Sequence, residues 1–249
     1  FFAAMLLMRV FEKKDKGERL PYIFLYGTAI IIDTIILLLT GTRGTIVGLA
    51  GGAFVASLLY VTFSHSVKHA WRVVVGFIAV LVIASGSLYV ARDTEFVKGV
   101  AFLQRLASIS IFEGTVKARF MNWGMAWEGV KERPILGWGQ ENYAIVFDKY
   151  YDPNMYANEP WFDRVHNIIF DWLVAAGFVG LISYLSIFAA MWYALWRAHT
   201  PKGDRIFSYS EASILTGLLG GYFFHNLFVF DNVTSYILYA TVIAYIASR

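Results

Sequence analysis

The sequence contains no cysteine, which excludes disulfides, thiolate metal sites and cysteine nucleophiles while leaving the compartment open. Charge is scarce: Asp, Glu, Lys and Arg make up 16% of the 249 residues, against roughly 25% in soluble domains. The net charge of +3 is small and dispersed, and so gives no electrostatic footprint for nucleic acid. The opening "FFAAMLLMRVF" has no initiator methionine, no leading basic region and no small-residue cleavage site, so it does not read as a signal peptide. It is expected to be the tail of a truncated helix in the later part of a longer protein. Also missing is the repeated short alternation of a transmembrane barrel.

What remains is apolar. Hydrophobic residues make up 58% of the chain and aromatic ones 18%. Several runs approach the ~20 residues that cross a bilayer as a helix, so an all-α polytopic membrane protein is expected. Apolar runs bounded by charge predict helices over 1–11 (partial), 21–40, 44–63, 71–91, 167–196, 211–229 and 233–247. That is about six full spans plus a partial one, in a single membrane domain. Transmembrane helices occupy 1–91, an outer loop 92–165 and further helices 166–249.

Orientation follows from Lys and Arg in the short loops. "RVFEKKDKGER" holds five, "SHSVKHAWR" two and "RAHTPKGDR" three, and strict alternation puts all three on one side, read as cytoplasmic. The "TGTRGT" turn, the "FDN" turn and the long loop then face outward. The nine basic residues of that loop carry little weight, because long loops are exported largely regardless of charge. Its four tryptophans, Trp123, Trp127, Trp138 and Trp161, suggest that it folds onto the membrane.

Within the loop, Val116, Phe120, Trp123, Trp127 and Val130 share one helical face, and Lys117, Asn122, Glu128 and Lys131 fall elsewhere. The spacing predicts an amphipathic helix ending at Pro134, its tryptophans toward lipid or the bundle; an ordinary packed loop helix is the plainer alternative. On the third predicted helix, Gly44, Gly48, Gly52 and Ala56 recur every fourth residue, a ladder that lets a neighbouring backbone approach closely.

Three basic groups fall at outer helix ends or in the covering loop: Arg43, Arg119 and His166. Arg43 opens a descending helix beside two glycines and two threonines, where free N–H groups and the positive helix end favour an anion. Snorkelling to lipid head groups would account for it equally simply. His166 opens another descending helix, whose positive end disfavours the imidazolium and suits a general base. On a helical wheel it lies above Phe170, Leu173, Gly177 and Tyr184. A lone interfacial histidine can also be purely structural. Asn167 can cap that helix or bind substrate, and capping is the simpler role.

Other residues have plainer readings. His225-Asn226 repeats the dipeptide without an arginine and reads as a packing or hydrogen-bonding pair. Asp33 lies near mid-membrane, where a charge usually has a partner or a proton. Asp93-Thr94-Glu95 reads as solvated after a helix end rather than as metal ligands. His65, His69 and His199 read as loop residues.

The combination of motifs adds more. "LLLTGTRGTIVGLAGG", "KARFMNWGMAWEGVKERPILGWGQENY" and "HNIIFDWLVAAGFVGLISYL", in this order, resemble the O-antigen ligase and polymerase superfamily over roughly residues 40–185. The resemblance implies a metal-independent, cofactor-free glycosyltransferase at the outer face of the bacterial cytoplasmic (inner) membrane. Its donor would be a polyprenyl-pyrophosphate-linked glycan and its acceptor a glycolipid or protein hydroxyl. Arg43 and Arg119 would hold the pyrophosphate, joined by Arg105, which sits where relatives often carry another arginine. His166 would take the acceptor proton, and Asn167 would stand beside the substrate. Asp171 departs from the glutamate expected in many relatives. Within the superfamily a polymerase or a protein-modifying enzyme fits equally. A polyprenyl-glycan or anion transporter fits less well, because no paired repeat with broken helices is evident.

Overall fold

The computed structural model describes residues 1–13, 16–40, 42–63, 70–100, 103–104, 107, 114–156, 161–199 and 203–249. Among these residues regular structure is helical, apart from one isolated bridge between His199 and Arg205. The helices are α1 (Phe2–Lys13), α2 (Lys16–Thr40), α3 (Arg43–Phe63), α4 (Ala70–Ala91), α5 (Glu95–Gly99), α6 (Gly114–Glu132), α7 (Tyr143–Lys149), α8 (Ile168–Arg197), α9 (Tyr209–Asn226) and α10 (Val233–Ala247). Three stretches among the described residues are long and apolar enough to cross a membrane: Glu18–Leu37, Gly44–Phe63 and Ile168–Arg197. Two shorter apolar helices cover Ile78–Ala91 and Val233–Ala247. His65 and His69 lie outside the described residues.

The chain divides into two compact units, Phe1–Ser108 with Tyr193–His225, and Ile109–Trp192 with Asn226–Arg249. In the first, α1 packs on α2 and α3 on α4. The glycine ladder of α3 meets a second ladder on α9. A Cβ added at Gly52 would stand 2.4 Å from the Gly217 carbonyl oxygen, and one at Gly48 would stand 2.7 Å from that of Gly221. Only hydrogen at those positions allows the backbones so close, and close packing is what holds helices together where lipid removes the hydrophobic drive. α9 begins with a capping box: Ser208 N donates to Glu211 Oε2 at 3.0 Å, and Glu211 N donates to Ser208 Oγ at 3.2 Å. The buried Glu211 carboxylate also takes an ion pair from Arg9. Asp33 lies on the exposed side of α2, and the Asp93 triplet makes a turn in which Thr94 caps α5.

The second unit has its own core, in which Met125, Val130, Phe147, Met155, Phe162 and Val174 are all buried. Each large apolar side chain removed from water there contributes about 1.5–3 kcal/mol. α6 forms where the spacing predicts a helix, with Val130 buried and Trp123 packed against the core. Phe120 and Trp127 are exposed, whereas Asn122 is fully buried together with Ala118, Met125 and Ala126. The buried face thus combines Ala118 and Ala126 with Met125, Val130 and one satisfied amide.

A correction concerns the helix after His166. The apolar run predicts one continuous helix over 167–196, but α8 is interrupted at Gly177, whose φ of 63° is left-handed. The break is filled by the Pro-Ile-Leu-Gly-Trp-Gly loop. Val174 and Ala175, which end the first half, accept from Trp138 N at 2.7 Å and Gly139 N at 2.9 Å. Phe178, which starts the second half, donates to the Pro134 carbonyl at 2.8 Å. Orphan groups at both broken ends are therefore satisfied by one loop. A Cβ at Gly177 would lie 2.2 Å from the Ile135 carbonyl oxygen, so glycine is required by both conformation and space. The wheel that aligned His166 with Tyr184 does not continue past this point. The half from Phe178 to Arg197 still has the ~20 residues a bilayer crossing needs.

Candidate functional site

The site is built on the five residues that lead into α8. Phe162 is buried, Arg164 and His166 are half-buried, and Val165 is fully buried. This short bent piece is held from two sides. From α6, Asn122 Nδ2 donates to the carbonyls of Arg164 at 3.1 Å and Val165 at 3.0 Å. From α8, Asp171 Oδ1 accepts from Val165 N at 2.9 Å. The Asn122 amide is oriented in turn by the Tyr143 hydroxyl, which donates to Asn122 Oδ1. Burial, and after it the nearby Asp171 carboxylate, pushes the Tyr143 phenol well above its ordinary value, so that it remains a donor.

The clamp holds His166 at a φ of 60°, a left-handed conformation that costs a non-glycine residue of order 1 kcal/mol or more. Its imidazole stands edge-on between two rings, Phe162 at 5.3 Å and Phe230 at 4.9 Å between centroids. Nδ1 lies 3.2 Å from the Arg164 carbonyl oxygen. A carbonyl can only accept, so in the neutral ring Nδ1 carries the hydrogen and Nε2 the lone pair. The arrangement sets the tautomer a base needs.

Asn167 follows as the cap of α8, its Oδ1 accepting from Ile169 N at 3.0 Å and Phe170 N at 3.3 Å. Its Nδ2 donates to the Leu227 carbonyl at 3.2 Å, fastening the helix start to the segment before α10.

Arg119 is half-buried on α6, one turn before Asn122 on the same face, which puts their Cβ positions about 5–6 Å apart. It therefore shares a unit and a neighbourhood with the His166 segment. The next turn of that face carries Trp123, in edge contact with Phe120 at 5.1 Å and stacked with Phe170 at 6.2 Å. Arg43 is the first residue of α3, in the other unit, and its side chain lies outside what is described. Arg105 lies outside the described residues.

Two clefts adjoin the clamp. One, a narrow crevice of about 20 Å³, is lined by Arg164, Asp171, Trp172, Phe230, Asp231 and Tyr236 among others. The other, also about 20 Å³, includes Glu141, Tyr143, Asp163, Arg164 and Asp171. Neither is lined by Arg119 or His166. Arg164 forms an ion pair with Glu141. Asn122, Tyr143, Arg164 and Asp231 carry no assigned role in the sequence reading. The local signal available for Arg164 is its place two residues before the histidine, and for Asn122 its place one turn after Arg119.

Helices long and apolar enough to span a membrane, with a loop-borne polar clamp at the head of one of them, define a polytopic membrane protein. The chain belongs to the O-antigen ligase family, whose model matches residues 28–185. Both units contribute to that stretch, which contains Arg43, Arg105, Arg119, His166 and Asn167. Members of the family are ligases of the glycosyltransferase kind. No curated protein and no solved structure matches the chain.

Proposed function

We propose that the protein transfers a glycan from a polyprenyl-pyrophosphate carrier to an acceptor hydroxyl at the outer face of the bacterial cytoplasmic membrane, with His166 as general base. The observation that carries the proposal is the backbone clamp. Asn122 and Asp171 hold the backbone of Arg164 and Val165, His166 follows in a left-handed conformation, and the Arg164 carbonyl faces Nδ1–H, which directs the lone pair to Nε2.

In the transfer step the acceptor oxygen forms a bond to the anomeric carbon while the bond from that carbon to the pyrophosphate oxygen breaks. The acceptor proton goes to His166 Nε2, and polyprenyl pyrophosphate leaves with the electron pair. Arg119 stabilises the charge growing on the leaving group. Guanidinium suits this because it stays charged and binds phosphate oxygens in bidentate fashion, each well-placed donor lowering the barrier by about 3–4 kcal/mol. Asn167 keeps the histidine at the helix threshold. The acceptor is a glycolipid core or a similar hydroxyl-bearing partner.

The test is transfer by purified full-length protein given a polyprenyl-pyrophosphate glycan and a set of lipid and protein acceptors. Arg119→Ala should lower donor turnover by about 100-fold or more, the size of one lost charge-stabilising donor. Donor consumption by Arg119→Ala at the unaltered rate would remove this arginine from the leaving-group role.

A further inference from the structure

The loop that fills the break in α8 carries two large apolar side chains at its tip. Ile135 is 67% and Leu136 72% exposed, although the backbone around them is fixed. Gly137 N donates to the Arg133 carbonyl at 3.1 Å, Trp138 Nε1 to the Gly129 carbonyl of α6 at 2.9 Å, and Asn142 Nδ2 to the Trp138 carbonyl at 2.9 Å. The Arg133 guanidinium lies over the Trp138 ring at 4.1 Å and ties the two ends of the tip together. Apolar side chains held outward on a braced turn mark a surface that something else covers.

What covers it follows from α8. The Pro134 carbonyl accepts from Phe178 N at 2.8 Å and the Ile135 carbonyl from Val179 N at 3.4 Å, so the tip adjoins the start of the second half of that helix. Phe178, Val179 and Ile182 are exposed there as well, which extends the apolar surface of the tip onto the helix. Residues 178–197 rise about 30 Å, the thickness of the hydrocarbon core. Near the far end Trp192 and Tyr193 are exposed and Arg197 closes the helix, the residue types that mark a membrane surface. With that end at one surface, Phe178 falls at the other. The half before the break agrees, because its Asp171 is bonded to Val165 N and belongs to the polar clamp rather than to lipid. A helix break leaves backbone groups that lipid cannot satisfy; the loop supplies their partners, so the break can stand at the hydrocarbon edge.

We infer that the turn 134–136 is a membrane anchor, with Ile135 and Leu136 inserted into the outermost acyl region of the leaflet at that end of α8, and that the bilayer crossing of α8 starts at Phe178 rather than at Ile168. The inference goes beyond the glycosyl-transfer reading and makes no use of it. Its consequence is a fixed height. The loop bonded to α8 is also bonded to α6, whose Asn122 holds the Arg164 and Val165 carbonyls, so a short braced path ties the clamp to the lipid surface.

Fluorescence quenching in nanodiscs tests this, helped by the absence of native cysteine from these 249 residues. Ile135→Cys and Leu136→Cys replace exposed side chains and leave the backbone bonds of the loop in place. Asp163→Cys, exposed beside the clamp, is the aqueous reference. Each variant of the full-length protein would carry a nitrobenzoxadiazole label in phosphatidylcholine–phosphatidylglycerol nanodiscs. At positions 135 and 136 a doxyl group on acyl carbon 5 should quench about threefold more than one on carbon 12, the depth expected of an interfacial anchor, and aqueous iodide should quench little. At position 163 iodide should quench and the doxyl lipids should not.

Either tip position carries the test if the other variant does not fold. Iodide quenching at the tip equal to that at position 163 overturns the anchor. Shielding from both lipid and aqueous quenchers would put a protein, a second copy included, on the tip and overturn the assignment to lipid. Stronger quenching from carbon 12, or doxyl quenching at position 163, would sink the break below the hydrocarbon edge and overturn the boundary at Phe178.

Discussion

The chain contains the dipeptide His-Asn twice, and the two copies sit in opposite surroundings. His166-Asn167 precedes a helix: the histidine is in a left-handed turn and the asparagine caps α8 through its side-chain oxygen. His225-Asn226 ends one: the histidine is inside α9, its Nδ1 3.3 Å from the Thr45 hydroxyl on α3 beside the glycine ladder. Asn226 is fully buried and donates to Asp231. In the first copy a carbonyl sets the tautomer and the backbone is held against its preference. In the second, the ring is tied to a hydroxyl that can donate or accept, on a helix whose geometry costs nothing. The same two side chains thus serve a strained, polar-clamped turn in one place and helix packing in the other. Local backbone and partner type, rather than residue identity, separate a candidate base from a structural histidine.

The comparison breaks most readily at the histidines themselves. His166→Ala should lower glycan transfer by about 100- to 10,000-fold, the range of general acid–base catalysis, whereas His225→Ala should stay within a few-fold of the parent. Parallel rates in purified protein check this, and equal losses in the two variants would erase the distinction.

The next effect is at the support of each ring. Asn122→Ala takes the side-chain donor from the buried Val165 carbonyl and one of two from that of Arg164, while the Tyr143 hydroxyl keeps the backbone carbonyl of residue 122; it costs about 1–3 kcal/mol and should lower kcat more than it raises the donor KM. Thermal unfolding with and without donor measures the first, and steady-state kinetics the second.

The two asparagines should then differ in kind. Asn226→Ala removes a buried donor to a carboxylate and should cost about 1.5–3 kcal/mol, the value for a hydrogen bond to a charged group. Asn167→Ala removes a cap, worth about 1 kcal/mol, and frays the start of α8. The smallest effect belongs to Thr45→Val, which loses one hydrogen bond of about 0.5–1.5 kcal/mol and leaves turnover unchanged. Thermal unfolding midpoints rank these three; a Thr45→Val variant less stable than Asn226→Ala would invert the comparison.

Much of the helical framework could be read directly, because apolar runs bounded by charge are a strong signal. Seven helices, α1 to α4 and α8 to α10, occur where those runs predict them, with ends shifted by a few residues. The α3 ladder is legible as a site of close approach; its partner on α9, in "TGLLGG", is identified by the three-dimensional contact. What escaped depends on pairs of segments far apart in the chain. Gly177 looks like any small residue in an apolar helix until the loop after Pro134 supplies carbonyl and amide partners for a break there. Asn122 reads as a solvent-facing polar residue until Tyr143 and the Arg164–Val165 carbonyls satisfy its amide, and only then is its burial cheap. Asp171 stands where the family resemblance leads one to expect glutamate, and its function as the acceptor for Val165 N appears only in three dimensions. The histidine was legible; the clamp that gives it a tautomer was not.

Chemical rescue measures the central claim most directly. His166→Gly removes the imidazole, and added imidazole should restore a saturable part of glycan transfer in that variant, in proportion to its neutral fraction as pH is raised, while giving no such gain in His225→Gly. Transfer by His166→Gly that is close to the parental rate without imidazole, or a fully folded variant that imidazole cannot revive at any pH while the same treatment stimulates His225→Gly, would contradict the account.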